Sequence, residues 1–443
     1  DVEYLSDGMT ETLIESLSRL PNLSVKARSS VFRYKGREVD AKAVGKELDV
    51  QAVLNGRVIQ RGQDLVLYVE LVDAQTENIL WKQTYNKTMT NLVTLQSDVA
   101  RDVAENLKVK LSGSDAQTLA KKYTADPEAY QLYLRGRHHY SKLTPPEIKT
   151  GISYLQRAIE VDPNYALAYA GLSDSYRSFA VAADLMPAEY LPKAKAAAQK
   201  AIEIDDNLAE AHTALGVALF WGEWDWNGAE REYIRAIELN PNNSEAYLYY
   251  AHLLSVMGKS DEALAKVKRA RELEPLDLRI GSLEGLFLVN AGKSDEALER
   301  LEKIFELNPN FWLAHSVASS AYIEKGLFAE AVTEARKARE IFDGGTQPMA
   351  FEGFALARSG RTAEAEAVVA ELLKMPAERY APYHVAMVYS GLRQRDQALD
   401  WLERAYEQRS PRMVFLKVEP KWNDLRPTPR FRDLMKKMAF QEK

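Results

Sequence analysis

SEAYLYYAHLLSVMGKSDEALAKVKRARELEP, residues 244–275, decides how this chain folds. Tyr247, Tyr250, Ala251 and Leu254 fall at i, i+3, i+4 and i+7, one apolar stripe of a helix. Gly258 ends that helix, and Ser260 or Asp261 can cap a second. Ala263, Val267 and Ala270 form the second apolar stripe, with the two alanines small enough for the helices to cross closely. Pro275 stops the second helix and sends the chain onward. These landmarks recur with a step of 34 residues: glycines at 258, 292, 326 and 360, alanines at 229, 263, 297, 331 and 365, prolines at 241, 275 and 309. A fixed period of this size predicts stacked two-helix units, each burying its apolar face against the next.

Landmarks held in phase over this length resemble the tetratricopeptide (TPR) family. The resemblance implies a right-handed α-α superhelix over residues 129–410, about eight units, whose inner groove takes a protein or peptide segment. The first unit is degenerate around Leu143-Thr144-Pro145-Pro146, and two inter-helix turns are enlarged, FAVAADLMPAEYLP and WGEWDWNG. In residues 411–443, Phe415, Trp422, Phe431 and Leu434 can cap the last apolar face.

Residues 1–112 follow another rhythm. SDGMTETLIESLSRLP reads as a helix with Ser6 or Asp7 as cap and Pro21 as stop, LSVKARSS as a short strand, and DAKAVGKELDV as a second helix. AVLNGRVIQRG, DLVLYVELVDA and NILWKQTYNK read as three strands, with alternation at Leu65, Leu67, Val69 and Leu71. LVTLQSDVARDVAENLKVKL closes a small α/β domain of order α-β-α-β-β-β-α, and residues 113–128 serve as a polar linker. The strings EYLSDGMTETLIESLSRLPNLSVKARSSVFRYKG, VGKELDVQAVLNGRV and LVDAQTENILWKQTY resemble the TolB-like amino-terminal domain, and the tail SPRMVFLKVEPKWNDLRPTPRFRDLMKKM resembles the end of the same bacterial proteins. In that family an apolar strand precedes the first helix, and this chain begins after it. The expectation is an open sheet edge and a weak homodimer through residues 1–112, with the array monomeric by itself.

Composition narrows the chemistry. Hydrophobic content of 46% and charged content of 28% over 443 residues suit a globular chain, and a net charge of −6 gives no electrostatic footprint for nucleic acid. There is no cysteine, so thiol nucleophiles and Cys-ligated metals are excluded. No apolar run approaches the ~20 residues that cross a bilayer.

Gly258-Lys259-Ser260 and Gly292-Lys293-Ser294 imitate the end of a phosphate loop, but Leu253 and Phe287 stand where its first glycine is needed. No GxG, HRD or DFG occurs, so no kinase machinery is encoded in this chain. The six histidines lack partners at ligand spacing, and packing accounts for His212 and His315. No catalytic residue, cofactor or metal site is expected. The repeat frame places Arg177, Thr213, Val217, Phe220, Leu248, His252, Ser282, Leu286, Ser316 and Phe354 on the inner groove, together with Asp174, Val289, Ser320 and Ala350. Trp221, Trp224 and Trp226, three tryptophans in one turn, either anchor a partner or wedge neighbouring repeats together.

The reading is a non-enzymatic sensory or scaffolding region that binds a protein or peptide in the TPR groove. The resemblance implies the regulatory part of a bacterial regulator whose output domain, a serine/threonine kinase, an adenylate cyclase or a winged helix, lies ahead of Asp1. An envelope assembly protein is the third reading. Membrane-linked regulators of this type favour the extracytoplasmic side, with the cytoplasm still open.

Overall fold

The computed structural model describes residues 2–20, 22–37, 40–107, 113–182, 186–342, 345–376, 379 and 381–440. Pro21, expected to stop the first helix, lies outside them, as do residues 108–112 at the end of the closing helix. The first helix, α1 (Glu3–Ser18), starts ahead of the caps expected at Ser6 and Asp7. Tyr4 and Leu5 are buried, which draws the first turn into the helix, and the Asp7 carboxylate instead meets Lys35 and His138. LSVKARSS forms no strand. Residues 23–27 have no regular structure and α2 (Arg28–Val31) is a single turn. A strand needs a neighbour. Here Leu23 and Val25 pack into the core, while Lys26 donates to Glu272 O and Ser29 to the Glu274 carboxylate at the end of a helix far along the chain.

After α3 (Ala41–Leu48), β1 (Ala52–Arg61), β2 (Asp64–Asp73) and β3 (Ile79–Thr88) make an antiparallel meander in the order β1-β2-β3. Alternation sets its faces: Leu65, Leu67, Val69 and Leu71 are buried beneath the helices, whereas Tyr68 on the other face is 46% exposed. α4 (Leu92–Asn106) contributes Leu95, Val99 and Val103 to the same core. The stretch 113–128, read as a linker, holds α5 (Gly113–Ala120), and Asp126 caps the following helix by accepting from the Glu128 and Ala129 N–H groups.

Eight antiparallel helix pairs follow among the described residues. They are α6 (Pro127–Tyr140) with α7 (Pro145–Val161), α8 (Ala166–Arg177) with α9 (Pro187–Ile204), and α10 (Ala209–Ala218) with α11 (Trp226–Leu239). Next come α12 (Ser244–Val256) with α13 (Ser260–Leu273), and α14 (Leu278–Asn290) with α15 (Ser294–Leu307). The last are α16 (Trp312–Glu324) with α17 (Phe328–Ile341), α18 (Thr346–Arg358) with α19 (Thr362–Leu373), and α20 (Pro382–Gly391) with α21 (Arg395–Glu407). The repeating glycines all adopt left-handed φ, between +73° and +82°. That turns the chain so that the next N–H reaches back, as Lys259 N–H does to Leu254 O at 2.9 Å. The phased alanines Ala229, Ala263, Ala297, Ala331 and Ala365 are all fully buried where the helices cross.

The N-terminal module and the first repeats share one core. α1 lies against α6 so closely that a Cβ on Gly8 would stand 2.7 Å from Leu134 Cδ2. Tyr130 OH lies 3.1 Å from Thr12 Oγ1 and donates to Gln96 Oε1 at 3.0 Å, tying α1, α4 and α6 at one point. At the other end the chain runs on through short 3-10 turns at Pro411–Phe415 and Pro420–Trp422 into α22 (Pro429–Lys437).

Candidate functional site

The first helix of each pair lines the inside of the solenoid, and the C-terminal segment folds back onto that surface. Phe415 reaches the third and fourth repeats, 5.9 Å from Trp221 and 5.5 Å from His252 between ring centroids. His252 is thereby enclosed by Phe220, Trp221, Phe287 and Phe415, and desolvation with the nearby Arg412 pushes its imidazole down to about 3. It is a neutral ring in an aromatic box.

Farther along, the fully buried Lys421 Nζ donates to Ser320 Oγ at 3.0 Å and Glu419 Oε1 at 2.7 Å, with Glu324 Oε1 at 3.7 Å. It also lies over the Phe351 ring at 4.9 Å. Trp422 N–H donates to Tyr383 OH at 3.0 Å, and Ser390 Oγ to Lys421 O at 2.7 Å. The last turns return to the third repeat, where Trp226 N–H donates to Met438 O at 2.9 Å and its ring stacks on Phe440 at 4.8 Å. The solenoid is closed on itself. Its eighth repeat touches the third through Tyr406, 5.5 Å from Trp224, and Arg409, 4.6 Å above that ring.

This placement corrects the expected groove. His252 and Phe354 meet the chain's own Phe415 and Lys421, and Phe220 packs on His252 and Trp226 in the same aromatic box. Leu248 is not on the groove at all: it is fully buried with Val267, Ala270 and Ile280, between repeats. Val217, Val289 and Ala350 are likewise buried in the core, and Ser282 Oγ is spent on its own helix, donating to Leu278 O at 2.7 Å. Ser316 is fully buried and Leu286 half-buried among three clusters of packed side chains. Trp221, Trp224 and Trp226 hold the returning C-terminal segment, a role between the two expected ones. The π-helical turn Leu219–Glu223 and the left-handed Trp224 (φ +58°) present them. The sequence marked the turn as enlarged but contained no local sign of what would fill it.

What stays open is a polar recess where the N-terminal module meets the inner wall. Glu11 pairs with Arg137, which reaches Asp174 at 3.9 Å. Arg177 donates to Tyr140 OH at 3.2 Å and lies over Tyr249, and Arg279 joins Tyr249 OH at 3.1 Å to Glu245. The side chains of Asp174, Glu245 and Arg279 keep 31%, 41% and 31% of their surface, so the recess is wet at its mouth. Desolvation raises Asp174 to about 6 against the pull of Arg177 and Arg137. Glu15, on the α1 wall, is pushed to about 8 by desolvation, opposed by Arg137. Arg177 Nε is buried without a partner. Thr213, beside the recess, accepts from Asn243 Nδ2 at 3.3 Å. These ion pairs join residues far apart in sequence, so the pattern along the chain carried no signal for them beyond Asp174 and Arg177.

The remaining motifs resolve into packing. Gly258 and Gly292 follow helices, and their N–H groups and those of the next lysines are bonded to helix carbonyls, leaving none to cradle a phosphate. His212 bridges Glu232 at 2.6 Å and Asp206 O at 3.0 Å, and His315 repeats this with Glu334 and Pro309 O. His138 joins Asp7 of the N-terminal module at 3.1 Å. Among the described residues no group of three or more His, Asp or Glu converges as a metal site, and no helix is long and apolar enough to cross a membrane.

Comparison with known proteins agrees at the level of architecture. Residues 232–265 match the model of a tetratricopeptide repeat, and residues 2–102 match that of the second domain of HilA/YgeH-like transcriptional regulators. A putative adenylate cyclase 3 of Rhizobium meliloti (strain 1021) is 32% identical over 219 residues, 49% of this chain and 37% of that protein. The transcriptional regulator HilA of Salmonella typhimurium is 22% identical over 278 residues, 61% of this chain and 48% of that one. The chain thus spans less than half the length of these curated relatives. Among solved structures, the APC/C hetero-tetramer Cut9–Hcn1 aligns with a TM-score of 0.48 at 14% identity, covering 79% of this chain and 63% of that one. Yeast Tom70 aligns at 0.44 and 14%, covering 80% and 83%. A small three-stranded antiparallel module, similar to the second domain of HilA/YgeH-like regulators, is therefore followed here by a solenoid of the tetratricopeptide type.

Proposed function

We propose that this chain is a non-catalytic regulatory region that binds a protein or peptide segment on the inner side of its solenoid. The binding surface is the stretch the C-terminal segment leaves open, around Asp174, Glu245 and Arg279, with Arg177 and Thr213 buried beneath it. The observation that carries the reading is the mixed charge of that wet recess, which fits a polar peptide backbone with charged side chains better than an apolar helix. Its α1 wall belongs to the N-terminal module, so a bound segment would touch module and repeats together. Names of the relatives support a regulatory setting, a cyclase in one case and a transcriptional regulator in the other. We accordingly place the chain as the sensory part of a multidomain bacterial regulator, with the TolB-like resemblance and an output domain of cyclase, winged-helix or kinase type belonging to the same proposal. Weak self-association through the N-terminal module is part of it.

A photo-crosslinking residue at Glu245, in the full-length protein, tests the assignment. The expected result is one discrete adduct that Asp174→Lys abolishes while the far-ultraviolet spectrum is unchanged. A crosslinking pattern equal to that from Lys200, whose side chain is 47% exposed, would contradict it.

A further inference from the structure

Where the C-terminal segment closes on the third repeat it leaves a second hollow, which shares no residue with the recess around Asp174. A cavity of about 220 Å³ lies between the start of α11, the end of α12 and Ala439 of the returning segment. Much of its lining is apolar: Trp224, Trp226, Leu253 and Leu254 are buried and Met257 is half-buried. The rest is charged. Asp225 caps α11, accepting from Gly228 N–H at 2.9 Å, and Glu230 accepts from Tyr250 O–H at 2.9 Å through Oε1. Lys259, in the turn ahead of α13, stands with its Nζ 3.9 Å from that Oε1, beyond hydrogen-bond distance. Among the described residues no other acceptor engages this ammonium.

We propose that this cavity binds a free α-amino acid with an apolar side chain, its ammonium on Glu230 and Asp225 and its carboxylate on Lys259. The side chain lies against the tryptophans and leucines. Small-molecule sites are mostly apolar, with a few polar groups that fix orientation, and this lining has that character. Size sets an upper bound on the ligand. A cavity of about 150 Å³ already holds benzene, so this one has room for leucine, methionine or phenylalanine. Charge selects the class. A lone carboxylate brought in on an apolar body would face Asp225 and Glu230, and a lone amine would face Lys259. A zwitterion sets each of its charges opposite the matching group, and like-charge contacts are what exclude the other two. The walls come from two neighbouring repeats and from the C-terminal segment, so a bound amino acid bridges the joint that closes the solenoid.

Calorimetric titration of the full chain with L-leucine, L-methionine and L-phenylalanine tests this, with tryptophan emission as a second readout because Trp224 and Trp226 line the cavity. Two analogues of the tightest probe follow, one lacking the amino group and one carrying an amide in place of the carboxylate. The side chains of Glu230 and Lys259 keep 33% and 48% of their surface, so Glu230→Gln and Lys259→Met leave the packing intact, and thermal unfolding without ligand checks that they do. The expected result is saturable binding of at least one probe, weakened ten-fold or more by either variant and by either change to the ligand. Glu238→Gln, on the same helix but outside the cavity, should leave it unchanged. No saturable binding of any of the three amino acids overturns the proposal. So does binding that survives both variants, and so does an analogue without one of the charges that binds as well as the amino acid.

Discussion

Lys421→Met tests how the C-terminal segment is held. The side chain has no solvent exposure, and its ammonium sits among Glu419, Ser320, Glu324 and the Phe351 ring. Methionine keeps the apolar stem and removes the charge. Glu419 and Glu324, 12% and 23% exposed, then lose the cation nearest them. Breaking a buried pair from one side costs about 3–5 kcal/mol. Because both carboxylates keep some contact with water, the lower end, about 3 kcal/mol, is the expected loss. Adding Glu419→Gln removes one of the two stranded charges and should return at least about 1 kcal/mol, a coupling of the size neighbouring groups show. The penalty of the single variant should also shrink in acid, since burial already raises Glu324 and loss of Lys421 raises it further. Urea unfolding followed by far-ultraviolet dichroism, with amide exchange of residues 411–440 as the local readout, measures both quantities. Unfolding of a repeat array need not be two-state, so the local exchange is the deciding observable. A loss below about 0.5 kcal/mol, the scale of an ordinary surface change, would refute the reasoning, and so would the absence of any rescue by Glu419→Gln.

Three further outcomes follow from particular contacts. Gly258→Ala should cost about 1–2 kcal/mol by backbone strain alone, since φ is +79° and no atom lies within 4 Å of the added methyl, while Arg393→Gly, at φ +59°, should stabilise by a similar or smaller amount; urea midpoints check both. Gly8→Ala drives a methyl to 2.7 Å from Leu134 and should cost about 1–3 kcal/mol, read as faster amide exchange across α1 and α6. Glu274 is held at about 7, above its ordinary 4.5, by burial and by the neighbouring Asp277. The folded protein therefore keeps this proton longer than the unfolded chain does. That contribution to stability is full below pH 4.5 and is lost as pH rises through 7, so Glu274→Gln should flatten the pH dependence across that window.

Much of this architecture was legible along the chain because each repeat carries its own instructions. Gly258, Ala263 and Pro275 act within one unit, so their period is visible without knowing the tertiary fold, and β2 announces its buried face by simple alternation. Two things were not legible. LSVKARSS has the composition of a strand, but Leu23 and Val25 find their burial against helices and Ser29 finds Glu274, a partner 245 residues away. The inner groove was counted from the repeat frame, which says which positions face inward and nothing about what arrives there. The pattern along the chain sets Phe415, Trp422, Phe431 and Leu434 over the last repeat. Trp422 does meet Tyr383 of the eighth repeat, and Phe431 and Leu434 share a core with Leu399 and Leu402 of its second helix, whereas Phe415 crosses to Trp221 of the third repeat and Lys421 to Ser320 of the sixth. The charged recess was missed for the same reason. Arg137, Glu11, Arg279 and Glu245 look like solvated helix charges until the module and repeats are brought together.

The C-terminal segment returns to the third repeat, and a distance measurement tests that directly. The absence of cysteine allows two spin labels to be placed without background, one at Glu223 beside the tryptophan turn and one at Lys436 on α22. Both positions are solvent-exposed or nearly so. The closed solenoid predicts a single short, narrow distance between them, and Trp226→Ala, which removes the hydrogen bond to Met438 and the stack on Phe440, should broaden it. A long or broad distribution in the unaltered chain would mean that the segment does not close the ring, and would contradict a solenoid closed from the eighth repeat to the third.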